Sequence, residues 1–160
     1  MCRAGLGRDF LLNQWRTLLR TQAALYRASG AATTERSTMT TQLADKRCVP
    51  CRGGTPPLTA DDIAPLLAHL DGWHTDGDTK LVKSFRLKNF VEAVELVNAL
   101  TPVAEAEGHH PDLYVRWGEV RVSLWTHKIH GLTESDFVMA AKIDRVYANR
   151  PHAVVPEASA

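Results

Sequence analysis

Five residues in the second half of the chain, Glu105, His109, His110, His127 and Asp136, are of types that move protons. The histidine pair stands in the stretch EAEGHHPDLY, residues 105–114. Adjacent side chains cannot share one face of a helix or strand, so such a pair calls for irregular backbone. Gly108 favours a helix C-terminal cap, and Pro111 steers His110 away from helical conformation. Both imidazoles are therefore expected on a loop between two elements, where reactive groups are often carried by a rigid scaffold. An imidazole, with an unperturbed pKa of about 6.5, can give or take a proton near neutral pH without a cofactor. Three in one region could divide the labour, one donating and another accepting. Glu105 lies four residues before His109, and the two share a face if the helix continues to Gly108.

Each of these residues also has an ordinary structural reading. His109 could cap helix carbonyls, His110 could fill an X-Pro position, His127 could end a polar strand face, and Asp136 is accounted for by a capping pattern. His69, His74, His130 and His152 read as surface or loop residues. A zinc site from His109, His110 and His127 fits poorly, because adjacent histidines rarely ligate one ion and no cysteine is near in sequence. The CVPC stretch of Cys48 and Cys51 has no second CxxC and precedes no βαβ pattern, so it reads as an accessible loop.

The elements that must hold these groups are legible from caps and periodicity. Thr59 caps a helix from Ala60 to about His69 or Leu70, with Asp61 and Asp62 in its first turn and Ile63, Leu66, Leu67 and Leu70 as its apolar face. Asp76-Gly77 marks a hairpin between strands at 73–76 and 79–87. Asn89 caps a second helix whose inward stripe is expected to be Phe90, Val94, Val97 and Leu100. Pro102 predicts either a kink or an end near Leu100 with a restarted turn reaching Glu107. If Gly118-Glu119 is a two-residue turn, Trp117 faces Val120. Leu113, Val115 and Trp117 then share one sheet face with Val120, Val122 and Leu124, and Tyr114, Arg116, Arg121, Ser123, Trp125 and His127 occupy the other. Thr133-x-x-Asp136 opens a third helix with Phe137, Ala140, Ala141 and Tyr147 inward.

The order α-β-β-α-β-β-α predicts a two-layer α+β domain, a four-stranded antiparallel sheet with three helices on one face. It spans residues 58–150. Residues 39–57, with Gly-Gly and Pro-Pro, read as an irregular lead-in, and 151–160 as a polar tail. Residues 1–38 form a basic extension. They hold six Arg against Asp9 and Glu35, a net charge of +4, which leaves −3 on the remainder of a chain whose total is +1. The extension reads as an organelle transit peptide, as upstream sequence ahead of a true start at Met39, or as a docked amphipathic helix.

A chain of 160 residues, 44% apolar and 23% charged, suits a single soluble domain. No apolar run reaches the roughly 18 residues that cross a bilayer. The net-negative body lacks the electrostatic footprint of a nucleic-acid binder. Three cysteines are too few for a disulfide scaffold and favour a reducing compartment. The cytoplasm is the expected location, or an organelle if residues 1–38 are a transit peptide. An antiparallel sheet with an uncovered face and open edges, carrying the Trp125 ring, predicts self-association.

With these elements placed, the stretch EAEGHHPDLYVRWGEVRVSLWTHKIHGLTESD resembles the signature of the pterin-4a-carbinolamine dehydratases. That signature is a Glu, three residues, His-His-Pro, an aromatic, a later His and then an Asp. The likeness extends from about Met39 to Tyr147. It implies the fold derived above, a homodimer or homotetramer, and a pterin substrate with no metal, nucleotide or redox cofactor. It implies His109, His110 and His127 as active-site histidines, with Glu105 and Asp136 supporting them. The implied reaction dehydrates 4a-hydroxytetrahydropterin to quinonoid dihydropterin, regenerating the cofactor of aromatic amino acid hydroxylases. Trp73, Pro111 and Tyr114 are candidates for holding a flat pterin. Some members of the family serve instead as dimerisation cofactors of a transcription factor or as assembly chaperones, a non-catalytic alternative.

Overall fold

A computed structural model describes residues 40–49 and 56–150. Beyond a helical stretch at residues 40–45, three α-helices and four strands follow the expected order: α1 Ala60–Leu67, β1 His74–Asp76, β2 Lys80–Arg86, α2 Phe90–Glu107, β3 Asp112–Arg116, β4 Glu119–Leu124 and α3 Glu134–Asn149. The strands form one antiparallel sheet in the order β1-β2-β4-β3.

Each helix begins where a polar side chain satisfies its first free N–H groups. Thr59 and Asp62 close a capping box on α1, and Thr133 and Asp136 close one on α3. Asn89 accepts a hydrogen bond from the Glu92 N–H on α2. Such caps are typically worth about 1 kcal/mol each. Helix α2 runs unbroken through Pro102 rather than stopping at Leu100. The proline lacks the N–H that would bond the Asn98 carbonyl, yet packing of Leu96, Leu100 and Ala104 into the core holds the helix on both sides of it.

The inward stripe of α2 is rotated from the expected one. Ala93, Leu96, Leu100 and Ala104 are buried, whereas Phe90 and Val94 are exposed at 52% and 37%. Asn89 places Phe90 in the first turn, and the small Ala93 and Ala104 let the helix sit close to α3 and the sheet. An apolar count alone could not foresee that alanines would take the core face.

The second hairpin turns one residue earlier than expected. Arg116 pairs with Glu119 and Val115 with Val120, so Trp117-Gly118 forms the turn and Trp117 is 73% exposed. Gly118 has φ +68, and a Cβ there would stand 3.1 Å from the Leu87 carbonyl oxygen. A left-handed position pressed against backbone suits glycine alone. The shift moves the pairing by two residues and so preserves the faces. Leu113, Val115, Val120, Val122 and Leu124 still share one side with Leu81 and Phe85, and Val120, Val122, Leu124 and Leu81 are fully buried.

Residues 40–45 are helical rather than irregular, and Leu43 and Ala44 are buried in the same core as Ile63, Phe137 and Ile143. Glu107 ties this segment down by accepting the Cys48 N–H at 2.7 Å. The packed body therefore begins before residue 58. The expectations for residues 1–38 and 151–160 lie outside the described residues, as do Cys2 and Cys51. No described helix is long and apolar enough to cross a membrane.

Candidate active site

Helix α2 ends on Gly108, which adopts the left-handed conformation at φ 60 and ψ 28. The Gly108 N–H bonds the Glu105 carbonyl, and the His109 N–H reaches back to Ala104. This closure satisfies the last turn and reverses the chain. Helical periodicity ends before His109, so the expected stacking of Glu105 beneath His109 does not form. The two imidazoles diverge: His109 turns inward and His110 outward, with side-chain exposures of 14% and 59%.

His109 meets Asp136, whose Oδ1 lies 2.8 Å from its Nε2. Asp136 is fully buried. Its second oxygen, Oδ2, accepts from the Thr133 N–H at 2.8 Å and from the Thr133 and Thr126 hydroxyls at 3.0 Å each. The residue therefore both caps α3 and hydrogen-bonds a histidine. A carboxylate offers only acceptors, so Nε2 carries the proton and His109 is left with Nδ1 as its second ring nitrogen. His110 pairs with Glu105, with Nε2 2.9 Å from Oε1.

His127 comes from the other side. It opens a short 3-10 turn, His127–Ile129, held where Thr126 bridges to Gly131 beyond β4. Its ring lies 4.0 Å from that of Trp125, centroid to centroid. The Trp125 indole N–H donates to Asp112 Oδ2 at 2.8 Å, and the other oxygen of Asp112 stands 3.9 Å from His127 Nε2. Lys80 sits over the indole at 4.7 Å.

These groups surround one cleft of about 260 Å³, lined by His109, His110, His127, Trp125, Thr126 and Cys48 among others. Burial, aided by the charge and hydrogen bond of Glu107, pushes the Cys48 thiol up to about 12, so it faces the cleft as a neutral S–H. Burial also acts to raise Glu107, but the Cys48 N–H and the Lys142 ammonium outweigh it and hold that carboxyl low.

Of the three residues expected to hold a flat ligand, none lines the cleft. Trp73 is a core residue, 6% exposed, with its indole N–H on Asp144 at 3.0 Å and its ring edge-on to Phe85. Tyr114 projects from the outer sheet face beneath Arg121. Pro111 sets the exit into β3. The flat ring beside the histidines is Trp125, which the sequence placed on the same sheet face as His127 and tied to self-association rather than to a ligand. Asp112 and Cys48 were also missed. Asp112 follows directly on His-His-Pro, whereas nothing local marks Cys48, which arrives through the packing of 40–49.

A family profile described as "Pterin 4 alpha carbinolamine dehydratase" matches residues 56–146. A protein of Rubrobacter xylanophilus is 49% identical over 105 residues, covering 66% of this chain and 98% of its own. One of Methylococcus capsulatus is 50% identical over 107 residues, covering 66% and 94%. Both bear the name "Putative pterin-4-alpha-carbinolamine dehydratase". A crystal structure of a "transcriptional coactivator/pterin dehydratase" from Brucella melitensis superposes with a TM-score of 0.53 at 34% identity, covering 56% of this chain and 97% of that one. The chain belongs to the pterin-4-alpha-carbinolamine dehydratase family.

Proposed function

We propose that the protein dehydrates a pterin 4a-carbinolamine to the quinonoid dihydropterin, with histidines as general acid and base. The observation that carries this reading is the His109–Asp136 pair opening onto a cleft shared with His110 and His127. In the reaction a proton goes to the departing 4a-hydroxyl, the C4a–O bond breaks, and water leaves. The N5 lone pair forms the C4a=N5 double bond, and the N5 proton passes to a base.

His109 is suited to the base. Asp136 fixes its tautomer, leaves Nδ1 with a lone pair, and stabilises the imidazolium that forms. His127 is suited to the acid: its Nε2 lies on the cleft 3.9 Å from Asp112, and the Trp125 ring restrains it. His110, exposed and paired with Glu105, positions the substrate and assists. The Trp125 face offers a flat surface for stacking. No step calls on a metal or redox group.

The test is turnover of a synthetic 4a-carbinolamine. General acid and base groups each contribute about 10²–10⁴-fold. His109→Ala or His127→Ala is therefore expected to slow turnover by at least about 10²-fold, and His110→Ala to raise KM more than it lowers kcat. Near-normal rates in both His109→Ala and His127→Ala, with the fold intact by circular dichroism, would overturn the assignment. A wild-type protein with no turnover would favour the non-catalytic role suggested by the Brucella relative's name.

We also infer a homodimer or homotetramer. Phe90, Val91 and Val94 expose 52%, 50% and 37% of their surface on one end of α2, an apolar patch that self-association would cover. Light scattering at micromolar concentration checks this, and a monomer would refute it.

A further inference from the structure

The cleft histidines are held unequally. The His109 side chain is 14% exposed and bonded directly to the buried Asp136. The His127 side chain is 58% exposed and stands on a three-residue turn, and among the described residues no hydrogen bond holds its imidazole. Its Nε2 is 3.9 Å from Asp112 Oδ1, beyond hydrogen-bond range. What restrains it is the Trp125 indole, 4.0 Å away centre to centre and tilted by 42°.

That indole is itself tied down. Trp125 Nε1–H donates to Asp112 Oδ2 at 2.8 Å. The bond follows from strand register: Asp112 pairs with Ser123 across β3 and β4, and Trp125, two residues further on, falls on the same side of the sheet. Diagonal neighbours of this kind are within reach of an aromatic side chain. Lys80 lies over the indole at 4.7 Å, and the His130 ring stands 6.1 Å from it. Neither of those contacts selects which edge of the indole points outward, whereas the N–H bond does. Trp125 and His127 line the cleft, and Asp112 stands outside its lining.

We infer that Asp112 is a positioning residue of the dehydratase site, acting through the Trp125 indole to fix the His127 imidazole. The inference rests on the histidine acid–base reading proposed above. A carboxylate orients the indole through a charge-assisted bond, and the indole restricts the imidazole, so Asp112 governs the site without touching substrate. His109 is thus set by its carboxylate directly and His127 by its carboxylate at one remove.

The experiment measures turnover of a synthetic 4a-carbinolamine together with the NMR signals of the His127 ring protons and the Trp125 indole N–H. Asp112→Ala is expected to lower kcat by about 10-fold or more, with KM changed less, since misplacing a catalytic group by about 1 Å can cost about 10²-fold. It should also reduce the ring-current shift of the His127 protons and speed exchange of the indole N–H. Asp112→Asn keeps an acceptor oxygen for the indole and should recover most of both losses. In a Trp125→Phe background the link is already broken, so adding Asp112→Ala should cost little more. Near wild-type kcat in Asp112→Ala would overturn the inference, as would unchanged His127 ring shifts, an Asn variant as impaired as the Ala variant, or a full Ala effect in the Trp125→Phe background. If the wild-type protein shows no turnover, the dehydratase reading fails, and the assignment of Asp112 to a catalytic site falls with it even where the NMR arms show the indole and imidazole to be coupled.

Discussion

Replacing Asp136 by Asn changes one atom and should reverse the chemistry of His109. The Asp136 Oδ2 accepts three donors, from Thr126 Oγ1 and from the N–H and Oγ1 of Thr133, while Oδ1 accepts one, from His109 Nε2. An asparagine keeps a single acceptor oxygen. Turned the wrong way, its NH2 would face the Thr133 N–H and displace the hydroxyls, leaving a buried N–H unpaired at about 1–3 kcal/mol. The amide oxygen therefore takes the Oδ2 place and the NH2 points at His109. Nε2 must then accept, the ring proton moves to Nδ1, and the nitrogen left for substrate becomes a donor. The base is lost while the fold remains.

Exchanging charge-assisted hydrogen bonds for neutral ones should cost about 1–2 kcal/mol, or several degrees in Tm for a domain of this size. Turnover should fall by about 10²–10⁴-fold, the range for a general base. Carbinolamine turnover, urea unfolding and the 15N shifts of the His109 ring would be measured together. If Asp136→Asn retained near wild-type kcat while folded, or if the His109 proton stayed on Nε2, the argument from tautomer control would be wrong.

Glu107 supplies a pH-dependent term. Burial acts to raise its carboxyl, but the Cys48 N–H and Lys142 win and hold it below its ordinary 4.5. The folded state thus binds fewer protons there than the unfolded state, so the stabilisation is present above about 4.5 and is lost as pH falls through that region. Glu107→Gln should lower the urea midpoint near pH 7 and differ less from wild type near pH 3; an equal difference at both would refute this. Cys48, pushed up to about 12, should alkylate far more slowly with iodoacetamide near pH 8 in the native protein than in denaturant, read at its own peptide by mass spectrometry. Equal rates would show that the thiol is neither buried nor held protonated. Expression from Met39 should give a protein of unchanged stability and turnover, because the buried residues of the described body start at Leu43; a loss of several kcal/mol in urea unfolding would show that residues 1–38 dock.

Element order, helix starts and sheet faces were determined by the sequence itself, because those signals are local. Thr59, Asn89 and Thr133 cap their helices through bonds to residues three positions on, and alternation put Val120, Val122 and Leu124 on the buried face even though the turn was placed one residue late. Gly108 likewise marked the end of α2, since its left-handed conformation is a property of the residue. What the side chains do beyond that point was a tertiary matter. Glu105 was matched to His109 by helical spacing, but past Gly108 the chain no longer follows that spacing, and the partner became a carboxylate 27 residues away on α3. The core stripe of α2 fell on Ala93, Leu96, Leu100 and Ala104 because close packing is decided by the neighbouring helix and sheet rather than by hydrophobicity along one element. Trp73 was drawn inward by Asp144 and Phe85, and Trp125 took the place beside His127. Caps and periodicity act over three or four residues and can be read from a string, whereas partners across the fold exist only once the layers have packed.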